Sequence, residues 1–289
     1  MAQETHLGAD PPVVGGLPEG KMLIDAHSHV DRYDLVDETA LDSALTEISQ
    51  DGIFTVSNSM DLPSYERNLA IAERCRFVLP IFGVHPWSAP KYVGRLEDLA
   101  PAIAQSPMLG EIGLDFHFIE DTSQYSSQQK VLEFLLTAAR EQEKIVNLHT
   151  KGAEEEILRL LDNHNIQRAI VHWYSGPLGV FRELVTRGAY FTVGIEVRHS
   201  EHVRTIAREV PSGQLLTETD NPGGPKGLIG DHGMPSLIKD VVRALAESRG
   251  VSAETIVQTV QTNFHTLVQD DPVLANRYAS VLDEQYDRT

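Results

Sequence analysis

Eight short β-rich runs, at residues 22–26, 53–57, 77–82, 108–114, 145–149, 169–172, 189–193 and 214–218, are each followed by a helix or a helix-like stretch. A strand that returns to its sheet through a helix runs parallel to its predecessor, because the helix supplies the crossover. Eight such units within about 250 residues predict a single α/β domain, the (β/α)8 TIM barrel. The helical stretches carry the matching stripes. In 127–143, Val131, Leu132, Leu135 and Ala139 share one face, and in 152–163 Ile157, Leu160 and Leu161 stand apolar among charges. An open doubly wound sheet is the main rival, but it would gather its ligands at one switch point.

The ends of the chain read differently. Residues 1–20 include Pro11-Pro12 and Gly15-Gly16 and have no periodicity, which predicts a flexible, irregular N-terminal extension. The barrel is expected over 21–270, with an extra helix at 253–268, and a C-terminal helix or tail over 271–289. No apolar run approaches the roughly 20 residues needed to cross a bilayer. The N-terminus has neither the basic stretch nor the apolar core of a signal peptide. With Cys75 as the single cysteine, the expected location is the cytoplasm. A formal net charge of −18 argues against tight, sequence-independent binding to long duplex DNA, which depends on Lys and Arg replacing counterions. It does not exclude a nucleic-acid substrate at a metal site, where the ions supply local positive charge.

Imidazoles and carboxylates recur where these runs end, and they spread over too many strands for one switch point. In Asp25-Ala26-His27-Ser28-His29, directly after Met22-Leu23-Ile24, His27 and His29 share a parity and can reach one ion together. Asp25 is expected behind them as an orienting carboxylate. Glu111, flanked by Gly110 and Ile112 in a strand that reads as buried, must be paired, protonated or metal-bound, and metal bridging accounts best for it. Asp115, beyond that strand's end, suits either the site or a loop anchor. Gly110 and Gly113 would keep the backbone slim there. His149 and His172 end the fifth and sixth runs, and two such residues on adjacent parallel strands point to a second metal position. Asp220 precedes the rigid Asn221-Pro222-Gly223-Gly224-Pro225 turn, where it could bind metal and accept a proton from water. His85, in Gly83-Val84-His85-Pro86-Trp87, suits a substrate contact and a structural turn equally. No Walker-type loop, dinucleotide fingerprint or spaced cysteine pair is present.

These motifs resemble the TatD family of metal-dependent hydrolases, within the amidohydrolase superfamily. The likeness lies in the D-x-H-x-H of 25–29, the G-V-H-P of 83–86 and the G-E-I-G-L-D-F of 110–116. It continues in His149, the H-x-x-S-G of 172–176 and the E-T-D-x-P of 218–222. The resemblance implies a (β/α)8 barrel holding two divalent ions (Mg2+, Zn2+ or Mn2+). One ion would be held by His27, His29, Glu111 and Asp220, and the other by Glu111, His149 and His172. His85 would face the substrate. The family implies a deoxyribonuclease, including 3′ to 5′ exonucleases. Three features depart from the family pattern. Lys151 stands near where an Arg is common, Trp173-Tyr174 replace the usual Cys-Phe, and the loop at 223–234 lacks the family's Arg.

The expected function is therefore phosphodiester hydrolysis in single-stranded or short DNA through a metal-activated hydroxide. Asp220, Glu111 and His85 would be the catalytic groups, and His85, Trp87, Lys151, Trp173 and Tyr174 would contact the substrate. Trp87, Trp173 or Tyr174 could stack a base. The competing readings are an amidase, deacylase or lactonase acting on a small molecule, and a barrel that has lost its chemistry. The expected partners are DNA or an oligonucleotide and no membrane, with the chain a monomer or small homo-oligomer.

Overall fold

The structure is a computed structural model that describes residues 17–18 and 20–287. Most of the expected N-terminal extension therefore lies outside the described residues. The eight strands are β1 (Leu23–Ser28), β2 (Ile53–Asn58), β3 (Val78–Ile81), β4 (Met108–Gly113), β5 (Ile145–His149), β6 (Ala169–Val171), β7 (Tyr190–Val193) and β8 (Leu215–Thr217). All the pairings from β1 to β3 and from β4 to β8 are parallel and sequential. The two arcs join into a barrel. Phe82 bridges Leu109 in parallel, and the Gly110 amide donates to the Phe82 carbonyl at 2.8 Å. On the other side the Asp220 amide donates to the His27 carbonyl at 2.9 Å, and the His29 amide to the Asn221 carbonyl at 2.8 Å.

The helices are α1 (Ala40–Asp51), α2 (Leu62–Arg74), α3 (Ala100–Gln105), α4 (Tyr125–Glu141), α5 (Glu154–Asn163), α6 (Leu178–Thr186), α7 (Glu201–Glu209), α8 (Lys226–Ile229), α9 (Leu237–Arg249), α10 (Ala253–Val268) and α11 (Pro272–Asp287). The stripe on α4 buries Val131, Leu132, Leu135 and Ala139, and that on α5 buries Ile157, Leu160 and Leu161. Within the C-terminal stretch, helix α11 continues to Asp287. Its Tyr278 packs 5.3 Å from Phe54 of β2 and 5.2 Å from Phe264 of α10, ring centre to ring centre. These large buried rings bind the C-terminal helices to the barrel wall by removing apolar surface from water.

Two of the strand pairings carry a register shift, and each lies at residues central to the site. One falls between Asp25 and Ser28 in β1 and the other between Leu109 and Ile112 in β4. Such irregularities re-aim side chains at barrel rims. They turn His27 and Glu111 toward the same point. The approach of β4 to β5 depends on Gly113, at φ 154°, where a Cβ would stand 1.9 Å from the His149 carbonyl oxygen.

Candidate metal centre

At the C-terminal mouth of the barrel, five side chains from β1, β5 and the loops after β1, β6 and β8 converge around Glu111 of β4. One carboxylate oxygen, Oε2, lies 3.1 Å from His29 Nε2 and 3.7 Å from His27 Nε2. The other, Oε1, lies 2.8 Å from His149 Nδ1 and 2.8 Å from His172 Nε2. Asp220 closes the first group, with Oδ1 at 3.6 Å from His27 Nε2 and 3.4 Å from His29 Nε2. The two halves of the cluster thus meet at one buried carboxylate, each half facing its own oxygen.

In three of the four imidazoles a hydrogen bond from the second nitrogen fixes the orientation. His27 Nδ1 donates to Asn147 Oδ1 at 3.0 Å, and the same amide donates to the Ala26 carbonyl at 2.9 Å. His29 Nδ1 donates to the Asn58 carbonyl at 3.1 Å. His149 Nε2 donates to Asp115 Oδ2 at 3.2 Å. His172 Nδ1 faces Glu218 Oε2 at 3.5 Å, and Thr192 Oγ1 and the Trp173 amide donate to that carboxylate at 2.6 and 2.9 Å. In the neutral rings of His27, His29 and His149 the lone pair is left on the nitrogen that points at Glu111, which is how metal-ligating histidines are held. His27 Nε2 is fully buried and has no hydrogen-bond partner. An orphaned acceptor beside two carboxylates is costly in a protein interior, and a divalent cation removes that cost. The donor set, imidazole nitrogens with carboxylate oxygens, suits Zn2+ or Mn2+ as well as Mg2+.

The electrostatics agree with a site built around cations. Burial alone would lower the His172 pKa, but the charge and hydrogen bond of Glu111, with Glu218 behind, carry it up to about 10. Burial would raise Glu111, yet the imidazoles of His85, His149 and His172 hold it well below the ordinary carboxylate range. Asp220 goes the other way. Burial raises its carboxyl, and Glu111 adds to the rise against the pull of His27, His29 and His172.

His85 lies beside this group and differs from the rest. Its Nδ1 accepts from the Trp87 amide at 3.2 Å, so in the neutral ring Nε2 carries the proton, 3.5 Å from Glu111 Oε1. Burial pushes its pKa down to about 4. The ring is neutral at pH 7 and presents a hydrogen-bond donor to the site. The sequence left substrate contact and turn formation open for His85, and the geometry accommodates both.

Some expected roles are redistributed. Asp25 does not touch either imidazole. Its oxygens accept from the Thr219 amide and hydroxyl at 2.9 and 2.6 Å and from the His27 amide at 3.4 Å, so it ties β1 to the chain just before Asp220. Asn147 and the Asn58 carbonyl take the orienting role. Asp115 serves both offered roles. Beyond its bond with His149, Oδ1 accepts from the His117 and Phe118 amides at 2.9 and 2.7 Å. Tyr174 is buried, with its ring against Phe181 and Phe191 and its hydroxyl donating to the Pro177 carbonyl at 2.8 Å. It therefore has no open face to offer a substrate. Trp173 is half-buried, with Nε1 donating to Glu196. Lys151 Nζ donates to Ser175 Oγ at 2.7 Å and to the Trp173 carbonyl at 3.3 Å, and Trp87 stands half-exposed next to His85.

Glu218 and Asn147 were missed as functional residues in the sequence. Asn147 carried a readable signal, a polar side chain in the otherwise apolar strand β5, the same signal that marks Glu111, while Glu218 stands just beyond β8 in the E-T-D-x-P motif.

A parallel eight-stranded barrel with a His- and carboxylate-rich mouth defines a metal-dependent hydrolase. Comparison with known proteins agrees. The family model described as TatD related DNase matches residues 24–269, and the chain belongs to that family. It is 28% identical over 270 residues to the uncharacterized metal-dependent hydrolase YcfH of Escherichia coli, covering 90% of this chain and 99% of that protein. It is 26% identical over 260 residues to the human deoxyribonuclease TATDN3, covering 84% and 93%. The crystal structure of YjjV, a TatD homologue from E. coli, superposes with a TM-score of 0.76 at 27% identity, covering 85% and 97%. Among the described residues, no helix is long and apolar enough to cross a membrane.

Metal binding to such a cluster must register in stability. A divalent ion at about 100 times its dissociation constant adds about 2.7 kcal/mol per site, a rise in Tm of roughly 4 °C or more for a chain of this size. Thermal unfolding with Mn2+ and with EDTA measures this, and identical Tm values would contradict it.

Proposed function

We propose that the chain hydrolyses phosphodiester bonds in single-stranded or short DNA with two divalent ions. His27, His29, Glu111 and Asp220 would hold one ion, and Glu111, His149 and His172 the other. The observation that carries this reading is the division of Glu111, with Oε2 facing His27 and His29 and Oε1 facing His149 and His172. When bound, divalent ions polarise a phosphoryl oxygen and lower the pKa of water, which is the chemistry this bond requires.

The side chains supply the rest. Asp220, whose Oδ1 faces His27 and His29 at the mouth, accepts the proton of the attacking water. The His85 Nε2–H, held in place by the Trp87 amide, donates to a phosphate oxygen. Lys151 adds a positive charge at the mouth. It is a compact point charge without the planar fork of an arginine, so it favours the phosphate without fixing its orientation. The cytoplasmic location expected from the sequence belongs to this proposal.

The names of the relatives support DNA as substrate, and the positive charge of bound ions answers the acidity of the chain. The test is incubation of the protein with end-labelled oligonucleotides in Mg2+, Mn2+ or Zn2+. Progressive shortening of single strands is expected, with a ladder from the 3′ end if the action is exonucleolytic. Intact strands in all three metals would rule the proposal out and return attention to small amides and esters.

A further inference from the structure

Four rings run in file from the surface to the candidate metal centre. The His117 ring lies 4.6 Å from that of Phe118, Phe118 lies 6.3 Å from Trp87, Trp87 lies 4.7 Å from His85, and His85 lies 4.8 Å from His149. Each contact from His117 to His85 is edge-to-face. Scattered exposed hydrophobics are ordinary, but Trp87 and Phe118 are 49% and 58% exposed, meet ring to ring, and stand beside the site. They sit on different loops, after β3 and after β4, so chain proximity does not explain their meeting.

Both loops are fixed by one buried carboxylate. Asp115 accepts from Trp87 Nε1 at 2.7 Å and from the amides of His117 and Phe118, while also accepting from His149 Nε2 at 3.2 Å. The rings therefore stay exposed on a rigid mount, and that mount also orients a candidate metal ligand. Protein surfaces that stack bases are built this way, from aromatic faces held beside a phosphate-binding groove.

Resting on the nuclease reading above, we propose that Trp87 and Phe118, with His117 at the outer end, form a stacking platform for unpaired nucleobases next to the scissile phosphate. The platform selects strands whose bases are free of a partner, meaning single strands and frayed ends, and it tolerates any base because each has a π-face. A duplex interior offers its bases only after they are unpaired, and it reaches the centre correspondingly slowly.

The test separates base recognition from catalysis. Binding is measured by fluorescence anisotropy in Mn2+ with a phosphorothioate-linked decathymidylate, which resists hydrolysis, and with a phosphorothioate strand of equal length whose sugars lack bases. The parent protein is expected to bind the base-bearing strand about tenfold more tightly. Trp87→Ala and Phe118→Ala should each remove most of that preference. Trp87→Phe, which keeps a ring but loses the bond to Asp115, should keep it. Equal affinity of the parent for both strands would overturn the platform. So would alanine variants that weaken both strands equally, because the rings would then act on the fold or on His149 and not on bases. A parent protein that shows the preference but cleaves nothing supports the platform and contradicts only the nuclease reading. One that cleaves DNA without the preference does the reverse.

Discussion

The Asp220→Asn protein is expected to fold as its parent does and to lose about 10²- to 10⁴-fold in kcat, the usual value of a positioned proton acceptor. Asn is nearly isosteric with Asp but accepts no proton at neutral pH. The backbone also favours this replacement. Asp220 has φ 53°, in the left-handed region that Asn visits more readily than most residues. An alanine there would add backbone strain and confuse the result. The surroundings are tight, since a Cβ on Gly224 would stand 2.0 Å from Asp220 Oδ2, so a side chain of the same shape is needed for a clean comparison. Circular dichroism and steady-state kinetics on an oligonucleotide check both halves. Full activity in a folded Asp220→Asn protein would remove this residue from the proton transfer.

Glu111→Gln is expected to have the larger effect on metal content. The carboxylate is the acceptor toward which imidazoles from both halves of the cluster point, and a neutral amide cannot hold two cations together. Bound metal should fall from two ions per chain to one or none. Activity should fall at least about 10³-fold, equivalent to roughly 4 kcal/mol of transition-state stabilisation. Metal analysis of the dialysed protein, alongside kinetics, measures this. The variant removes a buried negative charge from among several imidazoles, so its metal-free form should also hold fewer protons near neutral pH. A variant that retained two ions and most of its activity would show that Glu111 is not shared.

Much of this architecture was legible because barrel strands and metal ligands obey local rules. Parallel strands announce themselves as apolar runs between amphipathic helices, and all eight appear close to their expected bounds. His27, His29, His149, His172 and Asp220 lie at or near strand ends, Glu111 lies as a lone acid inside β4, and the structure brings them together around that one carboxylate. What the sequence did not reveal depends on long-range geometry. Asn147 is one polar residue in β5, and only the curvature of the barrel brings it against His27 across 120 residues of chain. Tyr174 looked like a mouth residue because it follows His172 closely, but the turn after β6 sends its ring into the core beside Phe191. Phe118 carried no signal of its own, since its significance comes from meeting Trp87 of another loop.

The acidic net charge and the proposed substrate are compatible once charge is considered locally. A formal charge of −18 repels a long polyanion at a distance, and that repulsion is screened beyond about 8–10 Å at ordinary salt. Within the mouth the balance would be set by the bound ions and Lys151.

The most direct measurement is the anomalous difference density of a crystal soaked in Mn2+. The account predicts two peaks, one among His27, His29 and Asp220 and the other among His149 and His172, with the carboxylate of Glu111 between them. A single peak, or two peaks that do not share Glu111, would contradict it.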